Sequence, residues 1–101
     1  MRFEMAARGS FFATRDRANV LFAELEREEV GVPREQELVL DFTGVTHISD
    51  SFARFFVNRV LLERQAEGRP ARYVGAVAEV EETISWAREC GEAPLAAVLP
   101  V

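Results

Sequence analysis

Residues 38–56, Leu38-Val-Leu-Asp-Phe-Thr-Gly-Val-Thr-His-Ile-Ser-Asp-Ser-Phe-Ala-Arg-Phe-Phe56, carry most of the information about the fold. The run 38–42 is short, apolar and rich in strand formers, which predicts a buried central strand. Thr43-Gly44 predicts a turn, after which residues 45–48 continue in an extended form. Ser49 is a preferred N-cap residue, and the apolar run behind it predicts a helix that ends near Ala66.

The flanking segments predict further strands and helices in alternation. Strands are expected at 2–7, 11–12, 71–75 and 95–99. One helix is expected to begin after its cap at Thr14 and to stop at Gly31 and Pro33, and a later helix is expected at 78–89. In the first helix, Ala18, Leu21, Phe22 and Leu25 have the spacing of one buried stripe. The alternation predicts a single α/β domain over residues 1–101, a small mixed sheet with helices packed on it.

Composition excludes several classes of function. The chain has 101 residues, 12 Arg, no Lys and a net charge of −5. An acidic chain repels a phosphate backbone, so nucleic acid is not an expected partner. Without Lys there is no Schiff base or phosphate-loop lysine, and one Cys and one His form neither an internal disulfide nor a zinc finger. We therefore expect no cofactor, no metal and no membrane span, and a reducing, cytoplasmic setting.

Acidic residues are concentrated in the last quarter of the chain. The carboxylates there are Glu79, Glu81, Glu82, Glu89 and Glu92. Two interpretations stay open: a solvated helix face, or an acidic docking surface for a basic partner.

The helix after Ser49 has more apolar residues than one buried stripe needs. Phe52, Phe56 and Val60 are expected to face the sheet, with Ala53 and Val57 at the edge of the stripe. Phe55 and Leu62 are left over, and Arg54, Asn58, Arg59 and Glu63 fill the polar remainder. Two interpretations of Phe55 and Leu62 stay open: they form an exposed strip that binds a partner, or other parts of the same domain cover them.

The start of this helix favours negative charge. Ser49 occupies the N-cap, and Asp50 and Ser51 lie in the first turn, where free backbone amides and the helix dipole stabilise anions. Asp41, His47 and a nearby serine contain the residue types of a hydrolase triad. The Gly-x-Ser-x-Gly motif of such enzymes is absent, so we expect no catalytic residues here.

Residues 38–53, together with Arg72-Tyr-Val-Gly-Ala-Val-Ala-Glu-Val-Glu-Glu-Thr-Ile84, resemble the STAS domains, the fold of sulfate transporters and anti-sigma-factor antagonists. More narrowly, they resemble a branch of STAS-like domains of unknown function. In antagonists an Asp-Ser-Ser/Thr-Gly motif opens the equivalent helix, and a partner kinase phosphorylates the Ser after the Asp. Here Ser49 matches the Asp, Asp50 the phosphoacceptor, Ser51 the following Ser/Thr and Phe52 the Gly. The chain therefore departs from the family at the phosphoacceptor.

The resemblance implies a non-enzymatic regulatory module that binds a partner regulator, such as a histidine-kinase-like ATPase. The expected partner-binding or regulatory residues are Asp41, Thr46, His47, Ser49, Asp50, Ser51 and Phe55. Either Asp50 acts as a fixed negative charge or Ser51 is the phosphoacceptor. The alternative is a sensor that binds a nucleotide or another small anion at the helix N-terminus. Self-association through residues 95–101 is a further hypothesis.

Overall fold

The computed structural model describes the backbone of residues 1–98 and the side chains of residues 1–89. In chain order its elements are β1 (Arg2–Glu4), a 3-10 turn (Met5–Ala7), β2 (Phe11–Phe12), α1 (Arg15–Glu28), β3 (Leu38–Asp41), β4 (His47–Ile48), α2 (Asp50–Phe52), a π-helical segment (Ala53–Asn58), α3 (Arg59–Ala66), β5 (Ala71–Val74) and α4 (Ala78–Val98). The α/β class predicted from the sequence is confirmed.

Three strands form a sheet in the order β1-β3-β5, with Phe3 opposite Leu40 and Leu40 opposite Tyr73. All the described pairings are parallel, so the prediction of a mixed sheet was wrong in that detail. The reason is that a helix separates each strand of this sheet from the next, which returns the chain to the same end of the sheet.

The short pair β2–β4 extends the pair β1–β3. Each of its strands follows a strand of the larger sheet, β2 after β1 and β4 after β3, and the two pair in parallel with Phe11 opposite His47. The amide of Ser49 donates to the carbonyl of Phe12 at 2.9 Å. The start of α2 is therefore fixed by strand pairing with a segment far away in sequence.

The first helix matches its prediction closely. The Thr14 hydroxyl accepts a hydrogen bond from the Arg17 amide at 3.1 Å, as an N-cap residue does. The residues of the predicted stripe, Ala18, Leu21, Phe22 and Leu25, are buried. The helix ends at Glu28, shortly before Gly31, whose φ is +85°.

Both ends of the chain differ from prediction. The strand expected at 2–7 ends at Glu4, because Met5–Ala7 form a 3-10 turn that buries Met5. The strand expected at 95–99 does not form over 95–98, since α4 continues to Val98; Leu99 lies outside the described residues. Leu and Ala are among the strongest helix formers, which favours helix in Leu95-Ala96-Ala97.

Residues 50–66 form one continuous helical stretch with a π-helical segment in the middle. Phe52, Phe56 and Val60 are buried as predicted. Asn58, expected on the polar side, is only 4% exposed, and its Nδ2 donates to the carbonyl of Ala87 at 2.6 Å. Each π turn contains more residues than an α turn, so the segment shifts the helical phase and turns Asn58 toward α4.

A column of phenylalanine rings passes through the core. Ring centroids are 5.0 Å apart for Phe12 and Phe52, 5.3 Å for Phe52 and Phe56, and 6.2 Å for Phe56 and Phe3. All four side chains are fully buried. The column joins the helix to both strand pairs through large apolar contacts.

Gly75 follows β5 and lies against the turn after β3. Its φ is +75°, and a Cβ there would lie 2.9 Å from the Thr43 nitrogen and 3.0 Å from Asp41 Oδ1. Gly31 has a similar φ of +85°, but a Cβ there would meet nothing within 4 Å. A side chain at Gly31 would therefore meet only an unfavourable backbone conformation, whereas one at Gly75 would also clash with neighbouring atoms.

Gly31→Ala is expected to lower the free energy of unfolding by about 1 kcal/mol, the cost of a left-handed backbone at a non-glycine residue. Gly75→Ala adds a clash with backbone and should cost about 1–3 kcal/mol more. Urea unfolding of the two variants measures the difference. Equal losses would contradict close packing of Gly75 on the turn.

Candidate functional site

The entrance to α2 is built by strand pairing. Thr46 donates to the carbonyl of Ser10 through both its amide, at 2.8 Å, and its hydroxyl, at 3.1 Å. Thr46 therefore bonds the residue before β4 to the segment before β2, and its hydroxyl donates a hydrogen bond within the domain.

Ser49 is a helix cap with a second structural bond. Its hydroxyl accepts from the Phe52 amide at 3.1 Å and donates to the Ala13 carbonyl at 2.6 Å. The prediction of an N-cap is confirmed. Because the hydroxyl proton is held by Ala13, this side chain connects α2 to the segment before α1.

His47 lies at the surface between two elements. Its ring stacks on Phe11, with centroids 5.0 Å apart and an angle of 11°, and Nδ1 lies 2.7 Å from Glu79 Oε1. Phe11 is 57% exposed, a large exposure for a phenylalanine. His47 thus joins an exposed aromatic ring of β2 to a carboxylate of α4.

A cavity of about 420 Å³ lies beside this group, between α2 and α4. It is lined by Asp50, Glu79, Glu82, Thr83 and Trp86. Trp86 is 42% exposed, and the Arg54 guanidinium lies 4.8 Å from its ring. We call Phe11, His47, Asp50, Glu79, Glu82 and Trp86 the aromatic–carboxylate surface.

Ser51 lies in α2, and Phe55 lies in the π-helical segment that follows it. Ser51 is exposed, and Phe55 is 37% exposed beneath the Arg15 guanidinium, 4.1 Å from its ring centre. Arg15 thus covers part of Phe55, one of the two apolar residues that the predicted buried stripe did not include. Leu62 is half-buried.

Asp41 belongs to a different part of the molecule. Its Oδ1 accepts from the Thr43 amide and its Oδ2 from Arg2 Nε, both at 2.9 Å. These bonds, the Thr43 bond first, lower the pKa of Asp41 from 3.8 to about 2. Among the described hydrogen bonds none joins Asp41 to residues 46–51. The carboxylate braces the turn after β3.

The geometry of a hydrolase triad is not assembled. His47 bonds to Glu79 and the Ser49 hydroxyl to a carbonyl, and no hydrogen bond between the His47 ring and a serine is present in the described residues. Over the same residues, no group of three His, Cys, Asp or Glu side chains is placed to hold a metal ion.

Four residues of this surface were not among the predicted site residues: Phe11, Glu79, Glu82 and Trp86. Phe11 was predicted only as part of a short extended segment, and Trp86 has no local sign of exposure. The available signal was the acidic cluster around Glu79 and Glu82, for which an acidic docking surface was one interpretation.

Comparisons with family models, with curated proteins and with solved structures found no match for this chain. In the part of the chain that the structure describes, no helix has the length and apolar character needed to cross a membrane.

Ser49→Ala removes the cap and leaves the Ala13 carbonyl without its donor. We expect it to lower the free energy of unfolding by about 1–3 kcal/mol. Ser51→Ala, an equal change at an exposed position two residues away, should stay within about 0.5 kcal/mol of the unaltered protein. Thermal or urea unfolding measures both, and a matching loss in the two variants would contradict the special role of Ser49.

Asp41 should make stability depend on pH in the acid range. Because its pKa is lowered on folding, its contribution is fully present above its ordinary pKa of 3.8 and is lost as the pH falls through about 2. The stability difference between the unaltered protein and Asp41→Asn should therefore be constant near neutral pH and shrink across this window. A difference that keeps its neutral value at pH 2 would show that Asp41 does not titrate as described.

Proposed function

We propose that this chain is a non-enzymatic protein-interaction module that binds a partner through the aromatic–carboxylate surface. The observation that carries the proposal is the half-exposed Trp86 beside Asp50, Glu79 and Glu82. Exposed Phe11 stacks on His47, which in turn bonds to Glu79. Exposed aromatic rings provide contact area at interfaces, and the carboxylates around them define the charge of the partner.

The partner that fits this surface carries arginine or lysine. Arg54 already lies over the Trp86 ring, so the ring has a face that accepts a guanidinium group. Three carboxylates line the cavity beside it, and a partner cation there pairs with them while its stem packs on the ring. The acidic docking surface, one of two interpretations of the sequence, is the one we propose.

The STAS resemblance supports a regulatory role in the cytoplasm, with a partner such as a histidine-kinase-like ATPase. Asp50 stands at the family phosphoacceptor position and is exposed beside the cavity. It then supplies a permanent negative charge where antagonists acquire one by phosphorylation. Ser51 is also exposed and remains the candidate phosphoacceptor.

The alternative, a small-anion sensor at the helix N-terminus, has less support. Asp50, Glu79 and Glu82 all face the cavity at this end of the helix and repel an anion there.

Trp86 is the single tryptophan of the chain, so its fluorescence reports directly on this surface. Titration with a short arginine–glycine peptide is expected to change the Trp86 emission. The double variant Glu79→Gln/Glu82→Gln should weaken binding about tenfold, since it removes two of the three carboxylates. Glu26→Gln/Glu35→Gln makes the same change of net charge at exposed positions outside the surface and should have little effect.

Equal weakening by both double variants would show attraction by net charge alone and would contradict a defined surface. Asp50→Lys provides a second test with the partner isolated from the native cell: binding should be lost while the melting temperature stays nearly unchanged. If Asp50→Lys kept its binding and only lost stability, the turn at 46–51 would have a structural role alone.

A further inference from the structure

The outer edge of β5 carries backbone groups without a strand partner in the described residues. On its inner side, Leu38 donates to the Pro70 carbonyl at 3.0 Å and Phe42 to the Val74 carbonyl at 2.8 Å. Since backbone groups alternate along a strand, residues 70, 72 and 74 bond to β3, and those of Ala71 and Tyr73 point outward. No described strand pairs with that side.

The other edge of the sheet, at β1, is covered at one carbonyl. At β1, Arg8 Nη1 donates to the Glu4 carbonyl at 2.7 Å, and the same guanidinium lies 3.9 Å from the Phe3 ring centre. A side chain that covers backbone groups is one of the ways in which proteins block edge strands. The β5 edge has no equivalent cover among the described residues.

A groove of about 330 Å³ runs along the β5 edge. Three arginines line it, Arg69, Arg72 and Arg88, together with apolar atoms of Leu61, Pro70 and Ala71. None of its described lining residues is acidic. Arg69 pairs with Glu29 and Arg72 with Glu37, whereas none of the described ion pairs includes Arg88.

We propose that the β5 edge binds an extended acidic peptide segment as an added strand. The outward N–H and C=O groups of Ala71 and Tyr73 supply the backbone hydrogen bonds of strand addition. Side chains of an added strand alternate between its faces, and Arg72 lies on the opposite face of β5 from Ala71 and Tyr73. Acidic residues on one face of the added strand therefore meet Arg88, and those on the other face meet Arg72. This surface is separate from the aromatic–carboxylate surface and does not depend on the proposed function.

Arg88 and Arg72 are the arginines suited to mutation. Arg88 is exposed on α4, and Arg72 pairs with Glu37 in an exposed ion pair at 3.0 Å. Arg69 also bonds to Glu29, together with buried Arg64, so its replacement would disturb the connection between α1 and α3. Arg34→Glu, at an exposed position away from the groove, is the matched control.

The probe is a short capped peptide in which two glutamates alternate with two valines, so that both faces of the extended peptide carry carboxylates. Its binding is measured by amide exchange and by calorimetry. We expect binding that slows exchange of the Ala71 and Tyr73 amides and leaves Trp86 emission unchanged. Arg88→Glu and Arg72→Glu should each weaken binding about five- to tenfold, and Arg34→Glu less than about twofold. The same peptide with N-methylated backbone amides should not bind, because strand addition needs its N–H groups.

Several outcomes would overturn the proposal. Absence of binding would do so, as would equal binding of the N-methylated peptide or of inorganic phosphate, which would indicate a simple anion site. A dimer of this chain that protects the Ala71 and Tyr73 amides without peptide would assign the edge to a second copy instead. A change in Trp86 emission that tracks peptide binding would place the peptide on the other surface.

Discussion

The buried contact between Phe52 and its ring neighbours holds the rest of the structure in place. Phe52 stacks on Phe12 of β2 on one side and on Phe56 on the other, and Phe56 reaches Phe3 of β1. The first turn of α2 is thereby anchored to both strand pairs, and its position follows from apolar packing. The Ser49 hydroxyl accepts the hydrogen bond that caps α2 and so fixes the residue at which the helix begins.

This anchoring places the exposed side of the helix entrance beside α4. His47 and Glu79 meet across two elements, and Asp50 faces Glu82 and Trp86 across the cavity. The opposite charge pattern occurs along β5, where arginines line the groove. The chain thus has two surfaces whose lining side chains carry opposite charges, each next to apolar atoms.

Local patterns in the sequence predicted the elements, and long-range contacts determined the site. The stripe Ala18 to Leu25 and the strand at 38–41 depend on neighbours a few residues away. The stripe was predicted, and the strand was predicted over 38–42. The stack of His47 on Phe11 depends on parallel pairing between segments more than thirty residues apart, which no local pattern encodes. Asp41 was grouped with the site by its nearness in sequence, although its bonds go to Arg2 and Thr43.

The number of residues in the π-helical segment 53–58 determines which face the following helix presents. A π segment is equivalent to one residue inserted into an α-helix, and a single residue corresponds to about 100° of rotation. Loss of one residue here would leave a regular helix of similar composition but would rotate everything after it, including Arg64, whose guanidinium bonds to Glu29. Homologous chains that differ by one residue in this segment are thus expected to present a different helix face to α4, whatever their overall similarity.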